Sequence, residues 1–224
     1  MCFSAEASFG ASAVISVIGI VAVKKSTTVP QKILSCIPLI FAAQQFAEGI
    51  LWLSLSHTSL AQWNKPATYT FLTAAEVAWP IMLPLSVMLL EKQKVRKRIL
   101  AVFLVLGILV SSILGYCLVV YPVQSSISCS HILYDVSYPI HTPYFAPFYL
   151  IASVVPPFIS SIKRVLLLGA LLTVSYIVTT IFYEDYLISV WCFFSAAISL
   201  LILSNIIYFN RPAKLSPGAM PGVV

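Results

Sequence analysis

The chain has 224 residues, of which 60% are hydrophobic and only 9% charged, and its mean hydropathy is +0.98. A soluble domain carries about 25% charged residues, so this composition excludes an ordinary soluble globule and belongs to a membrane protein. The net charge of +6 does not signal nucleic acid, because the basic residues are confined to short loops between apolar runs, where they report topology and contact with anionic lipid.

A span needs about 20 mostly apolar residues. On that ruler the chain divides into seven runs, near 5–23, 33–55, 67–90, 99–121, 144–162, 164–183 and 186–209. The first run lacks a basic leader and ends at Lys24-Lys25, so it reads as a retained span rather than a cleaved signal. Pro30, Pro66, Pro122 and Pro143 fall at or near run boundaries, where a missing N–H is harmless. Pro38, Pro80, Pro84, Pro147, Pro156 and Pro157 fall inside runs, where neighbours must satisfy the freed carbonyls. The expected architecture is therefore all-α: one seven-helix transmembrane domain over residues 1–210, a lid loop at 122–143, and a disordered Pro/Gly/Ala-rich tail at 211–224.

Loop charge sets the direction. Lys24, Lys25, Lys32, Lys92, Lys94, Arg96, Lys97, Arg98, Lys163, Arg164, Arg211 and Lys214 follow odd-numbered spans or lie in the tail; the opposite side holds only Lys65, with Glu184 and Asp185. The positive-inside rule then puts the N-terminus outside and the C-terminus in the cytoplasm.

Three acids, Glu6, Glu48 and Glu76, sit in apolar stretches without a basic partner. A charge at the centre of a span costs roughly 2.5–3.5 kcal/mol on the lenient insertion scale, so such acids are rare and usually functional. At about 1.5 Å rise per residue all three fall in the outer half of the bilayer. Helical spacing gives them neighbours. Cys2 lies four residues before Glu6; Phe41, Gln45, Glu48 and Trp52 form one stripe; Tyr69, Thr73, Glu76 and Pro80 form another, with Trp79 beside it. Trp191, Cys192 and Ser195 open the last span at the same depth, and the outer loop carries Cys129, His131, Asp135 and His141. The expected site is an acid-lined pocket opening outward beneath that loop.

Three states of the acids stay open: neutral hydrogen-bonded carboxyls, ligands of a shared cation, or a proton relay. As a metal centre, Glu6, Glu48, Glu76, His141 and Cys2 would be the ligands, with a divalent metal, zinc favoured, although no pair has a recognised metal spacing. Glu48 and Glu76 would then be the catalytic carboxylates of a hydrolase acting on a lipid or other amphiphile. The remaining pocket wall would be Gln45, Trp52, Thr73, Trp79, Trp191, Cys192 and Ser195. A proton- or cation-coupled transporter or channel and a small-ligand sensor are the alternatives. Cys2 also admits an N-terminal nucleophile or a disulfide with Cys117, Cys129 or Cys192. The expected partners are membrane lipids, with homo-oligomerisation open and nucleic acid excluded.

The opening Met1-Cys2-Phe3-Ser4-Ala5, with "PLIFAAQQFAEGILW" at 38–52, "EVAWP" at 76–80 and "WCFFSA" at 191–196, resembles an uncharacterised bacterial family of seven-span membrane proteins. The resemblance implies a multi-pass protein of the bacterial inner membrane and no known activity. Seven spans also invite comparison with the alkaline-ceramidase and progestin-receptor-like hydrolases, but no histidine here lies clearly within a span. A rhodopsin-like Schiff base is excluded, because the last span holds no Lys.

Overall fold

The computed structural model describes residues 4–139, 142–183, 186–191 and 194–211. Helices dominate it. Helix α1 (Ala5–Lys25) starts where the Ser4 hydroxyl accepts the Ala7 N–H and ends on Lys24 and Lys25, each favourable to the helix dipole or its free N–H groups. Helix α2 (Val29–Ser56) begins on the Thr28 cap, with Pro30 in its first turn. A 3₁₀ turn (Thr58–Trp63), α3 (Asn64–Leu72), a π turn (Thr73–Ala78) and α4 (Trp79–Leu90) then form one continuous helical run. Next come α5 (Lys94–Val120), strands β1 (Val123–Ser128) and β2 (His131–Val136), α6 (Thr142–Val154), α7 (Pro156–Ile159), α8 (Lys163–Phe182), α9 (Leu187–Trp191) and α10 (Ser195–Phe209).

Among the described residues, six helical segments are long and apolar enough to cross a membrane, by length and composition, which gives the chain the make-up of a multi-pass membrane protein. The run expected at 144–162 differs from the other six. It is divided into α6, of 13 residues, and the four-residue α7, so α6 alone reaches only about 20 Å. Pro156 and Pro157 each lack the N–H that would have continued the ladder, and the break falls at Val155 just before them.

The basic loops meet at one end of the bundle. Asn210 donates to the Lys25 carbonyl at 2.7 Å and accepts from Thr27 and Gln31, while the Arg164 guanidinium lies 4.0 Å over the Tyr208 ring. Glu91, between α4 and α5, accepts the backbone N–H of Lys92, Gln93 and Ser161 at 2.9, 2.8 and 2.6 Å and the Ser161 hydroxyl at 2.7 Å. Arg96 donates to the carbonyls of Ile159 and Ser160. These bonds tie the α4–α5 turn to the α7–α8 turn. Burial pushes the Glu91 carboxyl up, but the N–H groups of Gln93, Ser161 and Lys92 and the Ser161 hydroxyl outweigh it and hold the group at about 2.

At the other end, the segment expected as an irregular lid loop folds as an antiparallel hairpin in which Ser128 pairs with His131. Its two turn residues, Cys129 and Ser130, have φ of 47° and 62°, the pattern of a type I′ turn. Ile132, Tyr134 and Val136 share one strand face, and Tyr134 stacks on Phe71 of α3 with ring centroids 4.7 Å apart. The hairpin thus closes the end of the bundle over an apolar cluster that includes Leu51, Leu72 and Leu118. A second cluster, including Ile15, Leu34, Ile37, Leu168 and Ile202, fills the body between α1, α2, α8 and α10.

Candidate functional site

The π turn decides where Glu76 points. Pro80 has no N–H to give the carbonyls four and five residues before it, those of Glu76 and Ala75. The backbone widens to the i→i+5 pattern through Thr73–Ala78, and neighbouring helices bond its carbonyls: the Tyr149 hydroxyl of α6 donates to Ala75 O, one of the two that Pro80 frees, at 2.6 Å and the Ser111 hydroxyl of α5 to Val77 O at 2.8 Å. Single π turns of this kind recur at functional sites. Pro84 likewise leaves the Pro80 carbonyl without a helical donor, and α5 approaches it so closely that a Cβ on Gly107 would lie 1.8 Å from that oxygen. Only glycine fits there.

Glu76, 8% exposed, faces a cavity of about 230 Å³. Its apolar wall includes Phe41, Leu83, Leu114, Leu172 and Ile198; its polar and aromatic groups are Gln44, Trp79, Tyr138, Phe145, Tyr149, Ser153 and Trp191. The Tyr138 hydroxyl, just beyond the hairpin, donates to Glu76 Oε2 at 2.8 Å. Burial, then the charge and hydrogen bond of Glu76, push the Tyr138 phenol upward, so it stays a donor. Glu76 Oε1 receives no hydrogen bond among the described residues. The indole N–H of Trp79 donates to Gln44 Oε1 at 3.2 Å and that of Trp191 to Ser175 Oγ at 2.9 Å. Among the described residues no Lys or Arg lines the cavity.

The three glutamates have separate surroundings. Glu48 is fully buried. Its Oε1 accepts from Ser189 of α9 at 2.5 Å and its Oε2 from Gln45 of α2 itself at 3.2 Å, so both oxygens are engaged, and the first bond joins α2 to α9. Glu48 and Gln45 are not among the cavity-lining residues. Glu6 is exposed in the first turn of α1, where an acid suits the helix N-terminus. Among the described residues, no three His, Cys, Asp or Glu side chains come together to hold a metal. Cys2, His141 and Cys192 lie outside the described residues, as does the tail beyond Arg211.

The other expected pocket residues divide. Trp79 and Trp191 line the cavity. Trp52 is buried in the hairpin-end cluster and Ser195 is buried at the start of α10, but neither lines the cavity. Thr73 is exposed, contrary to its expected stripe with Glu76, because residues three apart share a face in an α-helix but not in the wider π turn. Tyr138 enters the site from outside any helix, while Phe145, Tyr149 and Ser153, four residues apart along α6, form a helical stripe that the sequence reading did not single out. The adjacent prolines of α4 were the available signal for the π turn.

No curated protein and no solved structure matches the chain. The family whose pattern matches covers residues 1–216. The chain belongs to the Family of unknown function DUF6629.

Proposed function

We propose that this is a seven-crossing protein of the bacterial inner membrane, N-terminus outside, that binds a small ligand with an apolar body in the cavity at Glu76. The short α6–α7 segment is the remaining crossing, and the end carrying the basic loops is the cytoplasmic one. Supporting the orientation is the meeting of Lys25, Arg96 and Arg164 at one end of the bundle. The binding reading rests on a single observation: among the described residues Glu76 has an oxygen without a donor, in a largely apolar cavity. A carboxyl serving only to hold helices together would have both oxygens engaged, as Glu48 does.

Native mass spectrometry of detergent-purified protein tests this. Ala146 lines the cavity, so Ala146→Phe should fill it. We expect a small-molecule adduct on the parent after incubation with membrane lipid extract, and its loss from Ala146→Phe. An adduct that persists in the filled variant, or a parent that acquires none, would overturn the reading.

A further inference from the structure

The chemistry of the cavity wall narrows the ligand. Four of its donors are committed elsewhere: the Trp79 N–H to Gln44, the Trp191 N–H to Ser175, the Tyr149 hydroxyl to Ala75 O and the Tyr138 hydroxyl to Glu76 itself. Open to a ligand among the described residues are the Oε1 of Glu76, the Ser153 hydroxyl, which is buried without a partner there, and a large aromatic surface. Among the described residues six rings line the space, those of Phe41, Trp79, Tyr138, Phe145, Tyr149 and Trp191. Phe41 and Trp79 lie 4.2 Å apart, and Tyr149 meets Trp191 edge-on at 6.3 Å. Among the described lining residues no basic side chain balances the acid.

A carboxylate in an aromatic-walled, largely desolvated space complements one kind of group well. An ammonium gains from the ring quadrupoles, more so when desolvated, and from the opposite charge. Size sets the rest of the ligand. A dry cavity of roughly 150 Å³ accepts benzene, so about 230 Å³ admits a ring with a few further heavy atoms.

We propose that the cavity takes a monocationic ammonium carried on a compact apolar body, with Glu76 as its counter-ion and the six rings as its walls. The proposal rests on the cavity being a ligand site, and the test separates the two. Benzyltrimethylammonium and its uncharged carbon analogue neopentylbenzene have nearly the same shape and differ in charge. Each is titrated at neutral pH into the full-length protein in peptidiscs, followed by calorimetry and by the fluorescence of Trp79 and Trp191.

The cation should bind saturably and at least ten-fold more tightly than neopentylbenzene. Glu76→Gln should remove that preference, while Glu6→Gln, a change at an exposed site, should leave it intact. The comparison of the two probes in the parent needs no variant, so it stands even if Glu76→Gln does not fold. Equal binding of both probes, or a cation preference that survives in folded Glu76→Gln, refutes the ammonium and leaves an apolar ligand site. Failure of both probes, with no adduct on the parent, refutes the ligand site as well.

Discussion

Replacing Gly107 by Ala is the sharpest test of how the site is built. A Cβ at that position would lie 1.8 Å from the Pro80 oxygen and 2.8 Å from its carbonyl carbon. A carbon and a carbonyl oxygen rest at about 3.3–3.6 Å, so α4 and α5 would have to part by about 1.5 Å. The obstructing atoms are backbone, which no rotamer change can move. Overpacking of this kind costs about 1–3 kcal/mol, occasionally more, and the upper part of that range applies here. Alanine returns about 1 kcal/mol through helix propensity, leaving a net loss of about 2 kcal/mol. The control is Gly10→Ala, since a Cβ there meets no atom within 4 Å. SDS-induced unfolding of the two variants in mixed micelles should show Gly107→Ala destabilised and Gly10→Ala unchanged or improved. Equal midpoints would refute the close approach of α5 to Pro80. That approach steadies the helix just after the π turn, so Gly107→Ala should also weaken binding of the ammonium probe.

Three further outcomes follow from particular contacts. Tyr149→Phe removes the donor to Ala75 O and should cost about 1–2 kcal/mol, read by the same unfolding assay, with faster amide exchange confined to residues 73–80. The Glu91 carboxyl is held at about 2 in the folded state, so its stabilisation is complete above its ordinary value and lost as pH falls towards 2. The contribution has a ceiling of about 3 kcal/mol, and Glu91→Gln should flatten the stability profile between about pH 5 and 2; an unchanged acid limb would count against the clamp. Ser130→Gly relieves a φ of 62° and should stabilise the hairpin by about 0.5–1 kcal/mol, seen as slower exchange of the amides paired across β1 and β2.

Much of the helical frame was legible because crossing hydrocarbon demands a minimum length of apolar helix. The stretches near 5–23, 33–55 and 99–121 correspond closely to α1, α2 and α5, which carry no adjacent-proline break. The hairpin was not legible. Its turn is Cys129-Ser130 rather than the Asn-Gly or Asp-Gly that ordinarily announces φ above zero, and its strands contain polar residues such as Ser125, Ser126 and Asp135. The outer stripe of the third run failed for a different reason. Pairing Thr73 with Glu76 assumes 3.6 residues per turn, and Pro80 forces a wider turn through that very segment.

The same widening explains why two acids at similar expected depth do different work. Glu48 sits in the regular helix α2, where Gln45 one turn earlier shares its face and reaches its Oε2, while Ser189 of α9 supplies the second donor. A regular helix therefore gives that carboxyl a local partner, and it joins α2 to α9. Glu76 lies where the period changes, so the side chains at α-helical spacing before it no longer share its face. Its one described donor comes from Tyr138, about 60 residues along the chain. The energetic conclusion follows from that contrast. A buried carboxyl left short of donors costs several kcal/mol if it is charged, and the same turn that withholds local donors aims it at the cavity. Substituting both prolines of α4, Pro80 and Pro84, by alanine should restore the regular ladder, turn Glu76 away from the cavity and abolish ammonium binding without lowering stability. Retained binding in a folded Pro80→Ala/Pro84→Ala protein would show that the π turn is not what points the acid.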